Sequence, residues 1–157
     1  MLPYREGTVF LVPLRTGGFA RGVVARSRRQ GRVLFGYFFG PMLPTADSVK
    51  TCDLDPASAV WMARFGDLGL VNGEWRIVGD LSPWDRSAWP MPDFIRLDPL
   101  DAKKAKRIRY SDADPMVVES TKDVEAELPL PSDGMHGYGS IEIGLTKLFP
   151  PQKGSGR

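Results

Sequence analysis

His136 is the only histidine in the chain and Cys52 the only cysteine. A histidine base needs a nucleophile and an orienting carboxylate brought to it by the fold. No nucleophile signature surrounds Cys52 or any aspartate, and His136 sits in a glycine-rich loop, Gly134-Met135-His136-Gly137-Tyr138-Gly139. It reads as an exposed or helix-capping loop histidine. One Cys and one His cannot supply the usual ligands of a structural zinc site. Asp112-Ala113-Asp114 offers two carboxylates but not the remaining ligands of a calcium loop, so it reads as a solvated turn. The glycines around His136 lack a preceding apolar strand and a following Lys-Ser/Thr, which removes a phosphate-loop reading. The expectation is therefore no catalytic residue, no metal ligand and no cofactor.

Charge is the other chemistry on offer. Net charge is only +2, but it is unevenly spread: residues 1–40 carry seven basic side chains and one acidic, and residues 110–135 carry seven acidic and one basic. A basic block, Lys103-Lys104-Ala105-Lys106-Arg107-Ile108-Arg109, precedes the acidic stretch. Such polarity makes either two surfaces of opposite potential or basic and acidic strands that pair with each other. Arg21, Arg26, Arg28, Arg29 and Arg32 cluster near Phe35, Tyr37 and Phe38. A small barrel with a basic groove and stacking aromatics binds single-stranded nucleic acid, so the Arg21–Arg32 hairpin defines an alternative function. The near-neutral total and the apolar run holding those aromatics weigh against it.

The elements that must position these groups are mostly strands. Thr8–Pro13, Phe19–Arg26 and Arg32–Phe39 are β-rich runs joined by glycine-bearing turns. The third is apolar on both faces, which predicts cover on both. Gly22 and Gly36 inside strands predict bulges, bends or close backbone approach. Ala59–Phe65 reads as a further strand. Asn72-Gly73 predicts a type I′ turn pairing Leu68–Val71 with Glu74–Val78. Asp80–Pro92, with Trp84 and Trp89, reads as an ordered loop folded over a sheet edge. Phe94–Leu97 is a short strand that can lie at an edge. Ala105–Tyr110 and Pro115–Ser120 are strands joined by Ser111–Asp114, and Glu125–Gly139 is loop. Ser140–Phe149 predicts the one helix, with Ser140 as N-cap, Glu142 at the positive end of the dipole and Lys147 at the negative end.

With 157 residues, 42% hydrophobic and 25% charged, the chain fits one soluble domain. Residues 1–150 form that domain, and 151–157 read as a tail without ordered structure. The fold class is mainly β: a strongly bent antiparallel sheet or partial barrel with a short C-terminal helix. No apolar run approaches a membrane span, the first residues lack a signal-peptide pattern, and a single cysteine fits a reducing cytosol.

Several pieces together carry a family resemblance. Gly7-Thr8-Val9-Phe10-Leu11-Val12-Pro13-Leu14 is followed by Gly18-Phe19-Ala20-Arg21-Gly22-Val23-Val24, then by a strand ending Tyr37-Phe38-Phe39. Trp75-Arg76-Ile77-Val78-Gly79 and Pro90-Met91-Pro92-Asp93-Phe94 come next. From about Gly7 to Phe149 this order resembles the immunity protein 26 family of bacterial polymorphic toxin systems. The resemblance implies a small cytoplasmic antitoxin that binds a cognate toxin domain stoichiometrically, with no turnover and no catalytic residues to transfer. Physical reasoning then adds candidate contacts. An acidic face of Asp112, Asp114, Glu119, Asp123, Glu125 and Glu127 would steer a basic toxin. Exposed members of Trp84, Trp89 and Met91 are rival anchors.

Overall fold

A computed structural model describes residues 1–47, 49–51 and 53–150. The expectations for Cys52 and for a tail at 151–157 lie outside the described residues. Among the described residues nine strands and two α-helices follow in order, with short 3-10 turns at Pro56–Ser58 and Arg86–Ala88: β1 Thr8–Pro13, β2 Phe19–Ser27, β3 Val33–Leu43, β4 Trp61–Gly66, α1 Leu68–Val71, β5 Ile77–Asp80, β6 Phe94–Leu97, β7 Lys104–Ser111, β8 Asp114–Glu125, β9 Met135–His136 and α2 Tyr138–Leu148. They form a six-stranded sheet, β5-β1-β2-β3-β4-β9, and a three-stranded sheet, β6-β7-β8. The fold is mainly β with a short C-terminal helix, as its sequence predicts. Both sheets are open, so there is no closed barrel.

Strand alternation puts an apolar core on each side of the large sheet. Phe10, Val12, Val24, Leu34 and Phe38 face one way and are covered by Trp75 and by Ile141 and Leu145 of α2. Val9, Val23, Phe35, Tyr37 and Phe39 face the other way and meet Trp89, Phe94, Ile108 and Tyr110. The cover expected on both faces of β3 is therefore present. Rings come close at both strand-interior glycines. A Cβ on Gly22 would lie 2.5 Å from Phe10 Cε2, and one on Gly36 would lie 2.9 Å from Phe65 Cε1. The β2–β3 ladder also shifts register near both glycines, between Phe19 and Arg21 and between Val24 and Arg26.

Four expectations need correction. Asn72-Gly73 does not close a hairpin. Asn72 is right-handed helical (φ −86°, ψ −4°) and only Gly73 has positive φ, whereas a type I′ turn needs both. The residues before it form α1, a single helical turn, and β5 pairs instead with β1. Packing decides this: Trp75 is buried, stacks on Phe10 at 5.4 Å and lies against Gly69. The Asp80–Pro92 loop covers a sheet face, not an edge, with Trp89 edge-on to Tyr37 (5.1 Å) and Phe39 (5.9 Å). The N-cap of α2 is Gly137, one turn earlier than Ser140, and Ser140 Oγ meets His136 Nδ1 at 2.9 Å. Finally, the Glu125–Gly139 loop contains β9, which runs parallel to β4.

Candidate partner-binding surface

The β7–β8 hairpin carries most of the candidate residues. Its sequence explains its pairing: basic β7 lies against acidic β8, with Lys104 opposite Glu125 and Lys106 opposite Asp123. Lys106 Nζ reaches Asp123 at 2.7 Å and holds that carboxyl below the usual carboxylate range. The charge asymmetry of the sequence thus resolves in part into two strands that neutralise each other. On the next register positions Arg107 and Arg109 both donate to Asp93, at 2.6 and 3.0 Å. The two guanidiniums, Arg109 first, hold Asp93 low against the opposing effect of burial.

The turn end of the hairpin is bound to the large sheet. Asp112 accepts from Arg26 Nε at 2.8 Å and from Arg86, which also reaches Glu6. Asp112 is held below its ordinary value, mainly by Arg26 and further by Arg86. Arg28 pairs with Asp114 at 3.1 Å, and Arg64 donates to the Pro115 carbonyl at 3.1 Å. Asp112, Asp114 and Asp123 are therefore ion-paired within the molecule, whereas Glu119, Glu125 and Glu127 are exposed and belong to none of these ion pairs. Trp89 is buried and Trp84 half-buried, its ring against Gly7. The turn end of the hairpin meets the loop that carries the two tryptophans: Arg86 pairs with Asp112, and Arg26 donates both to Asp112 and to the Trp89 carbonyl.

A buried node that residue types alone did not single out joins the sheets. Asp133 accepts from Tyr110 (2.6 Å), Arg96 (2.7 Å) and Arg64 (3.2 Å), and the Arg64 guanidinium carbon lies 3.8 Å from the centre of the Tyr110 ring. Burial pushes the Asp133 carboxyl up, but Tyr110 and the two arginines outweigh it and hold it low. Asp133 was visible in sequence only as one more acid in an acidic stretch. What marks it is the long-range approach of three donors, which no local pattern encodes.

Of the arginines of the Arg21–Arg32 hairpin, Arg21, Arg26 and Arg28 are committed within the fold, whereas Arg29 and Arg32 are exposed. Arg21 is buried and donates to Asp53 (2.7 Å) and to the carbonyls of Lys50 and Gly40, both at 2.8 Å. Arg26 is buried and donates to the carbonyls of Ala25 and Trp89 as well as to Asp112. Phe35, Tyr37 and Phe38 are also buried, so no stacking platform faces solvent there. His136 packs edge-on to Trp61, and burial together with Arg64 lowers its pKa, favouring the neutral ring. Among the described residues, no three His, Cys, Asp or Glu side chains gather as metal ligands, and no helix is long and apolar enough to cross a membrane.

A family model described as Immunity protein 26 matches residues 5–106, which spans β1 to the start of β7. No curated protein and no solved structure matches the chain.

Proposed function

The chain belongs to the immunity protein 26 family, and from that membership we propose that it neutralises a cognate bacterial toxin by stoichiometric binding. The family match is the observation that carries this reading. The pairs that join the two sheets, Arg64 with Asp133 and Arg28 with Asp114, give such a binder a fixed frame. In this reading the protein acts in the cytoplasm of the producing cell as the antitoxin of a polymorphic toxin system. It covers the active site or the substrate path of one toxin domain and turns nothing over.

The exposed acids of β8 and the following segment, Glu119, Glu125 and Glu127 with Asp123 beside Lys106, supply steering charge for a basic toxin. Steering of this kind raises the association rate more than it deepens final affinity. Asp112 and Asp114 contribute field but little direct contact, because Arg26, Arg86 and Arg28 already hold them. Trp84 is the more accessible of the two candidate tryptophans.

The test is co-expression with the toxin domain encoded in the neighbouring reading frame. Protection of the cell and a one-to-one complex are expected. Charge reversal at Asp123, Glu125 and Glu127 should then slow association at low salt. Growth arrest despite co-expression, with no complex recovered, would remove the antitoxin reading.

A further inference from the structure

The face of the small sheet turned away from the large one carries a polar hollow. Phe94, Ile108 and Tyr110 pack on the large sheet, so alternation puts Arg107 and Arg109 on the opposite face. Register sets Lys122 opposite Arg107 and Ser120 opposite Arg109, on that same outer face. These four residues, with Asp93 and Thr121, line a hollow of about 250 Å³.

Its floor is built. The Asp93 side chain is only 10% exposed, and Arg107 Nε (2.6 Å) and Arg109 Nε (3.0 Å) both donate to it. One carboxylate thus fixes two guanidiniums and cancels one of their charges. Arg109 also spends Nη2 on Asp93, at 3.2 Å. Among the described residues no partner takes the other guanidinium N–H groups, the Lys122 ammonium or the Ser120 hydroxyl. Three cations against one carboxylate leave the hollow two positive charges in excess. Around this centre the sign reverses. Exposed Glu125 and Glu127 line an adjoining hollow that shares Arg107. On the other side Asp93 first, and then Glu119, favour the charged form of Arg109.

We propose that this hollow seats one carboxylate side chain of the toxin, set in an otherwise basic toxin surface. This rests on the antitoxin reading and names a contact of it. A guanidinium fork matches a carboxylate with parallel hydrogen bonds. Asp93 already holds both arginines in place, so docking costs little of their rotamer freedom. The surrounding glutamates fix the rest of the pattern. They attract a basic surface and repel a continuous polyanion such as a nucleic-acid strand. The hollow is smaller than the about 300–1,000 Å³ usual for small-molecule pockets, and suits the end of one side chain. A toxin with a cation at this position would meet the arginines unpaired, which makes the hollow a device of specificity as well as of affinity.

Ser120→Glu tests this on the intact chain, with the toxin domain of the neighbouring reading frame as probe. It places a carboxylate of the protein's own opposite Arg109, where a cross-strand pair is favourable. The variant should keep its melting temperature and bind the toxin at least tenfold more weakly. Lys122→Glu, which reverses another charge of the hollow, should weaken binding likewise. Neither change breaks an Asp93 contact, so a role confined to tying β6 to β7 would leave both affinities unmoved. Ser120→Gln, of the same size but uncharged, should bind within threefold of wild type. Equal losses in Gln and Glu would show that bulk decides and would overturn the carboxylate. If wild type binds and both charged variants bind within twofold, the hollow is wrong and neutralisation stands. If Ser120→Glu abolishes binding of a generic single-stranded oligonucleotide, or only self-association, with toxin affinity intact, the occupant is a phosphate or a second copy and the proposal is overturned. If wild type binds no toxin, the antitoxin reading falls and this inference with it.

Discussion

Arg64 lies flat over Tyr110, 3.8 Å from the ring centre, and both side chains end on the Asp133 carboxylate. Arg64 belongs to β4 of the large sheet and Tyr110 to β7 of the small one, so this contact fastens one sheet to the other. Removing the shared acceptor leaves a buried guanidinium without its counter-charge. Asp133→Ala should cost about 3–5 kcal/mol, the range for one partner lost from a buried pair. Urea unfolding would measure it. Asp133→Asn, which keeps acceptor oxygen but no charge, should fall between wild type and Ala.

Glu142 is buried on α2 and accepts from the Trp75 indole at 2.9 Å while pairing with Arg15. Glu142→Ala orphans a buried N–H and should destabilise by about 1–3 kcal/mol. Because the same contact docks α2, limited proteolysis should cut the helix sooner in the variant than in wild type.

Gly22 sits beneath the Phe10 ring, with room for hydrogen alone. Gly22→Ala forces the ring or the strand aside. Overpacking of this kind costs about 1–3 kcal/mol, readable as a lower melting temperature. Gly73 has open space around it but a φ of +82°, so Gly73→Ala should be strained by backbone conformation rather than by contact.

Stability should fall in two stages on acidification. The folded protein depresses the His136 pKa, so the unfolded chain takes up that proton first as pH drops through about 6.5. Stability therefore declines from there towards the folded value, and His136→Gln should flatten this stage. Asp93, Asp112 and Asp133 are all held low by arginines, with Tyr110 also acting on Asp133. Their contribution is intact above about pH 4 and is lost as pH falls through their folded values. Urea midpoints measured from pH 7.5 to pH 3 would separate the stages.

Arg26→Ala distinguishes scaffold from nucleic-acid groove. The side chain is buried and donates to Asp112 and to two backbone carbonyls. Its loss should cost about 2 kcal/mol or more, since hydrogen bonds from a charged donor are the strong ones. Wild type should show no strongly salt-dependent affinity for a generic single-stranded oligonucleotide. Tight, salt-sensitive binding lost in Arg26→Ala would restore the groove.

The strands were legible wherever local pattern and final environment agreed. Val9–Val12 and Val33–Phe39 announce burial, and the Ser111–Asp114 turn sits between the two strands expected around it. The sequence misled where one large side chain decided the backbone. Asn72-Gly73 has hairpin chemistry, but Trp75 had to reach Phe10, and a helical turn delivers it there. Ser140 has N-cap chemistry, yet α2 begins at Tyr138, and the Ser140 hydroxyl serves His136 instead. The candidate surface was half legible. The acids of β8 were evident as a run, but their neutralisation by β7, Arg26 and Arg28 depends on register and on contacts far apart in sequence. The stretch Pro115–Val117 looked like ordinary strand, because only the register against β7 reveals that it is bulged.

The β7–β8 hairpin is mounted like a cantilever. At its root, Asp112, Asp114 and Pro115 are clamped by arginines from the body. At its far end β7 is held by β6, with Lys106 opposite Arg96, while β8 is tied to β7 alone, through the cross-strand ion pair of Lys106 with Asp123. Stiffness should therefore decline along its length, and the entropic cost a partner meets should rise. A ligand seated near the root engages a surface already set in shape. One gripping the far end of β8 must first order an edge strand that β7 alone supports, and gains reach at the expense of tightness.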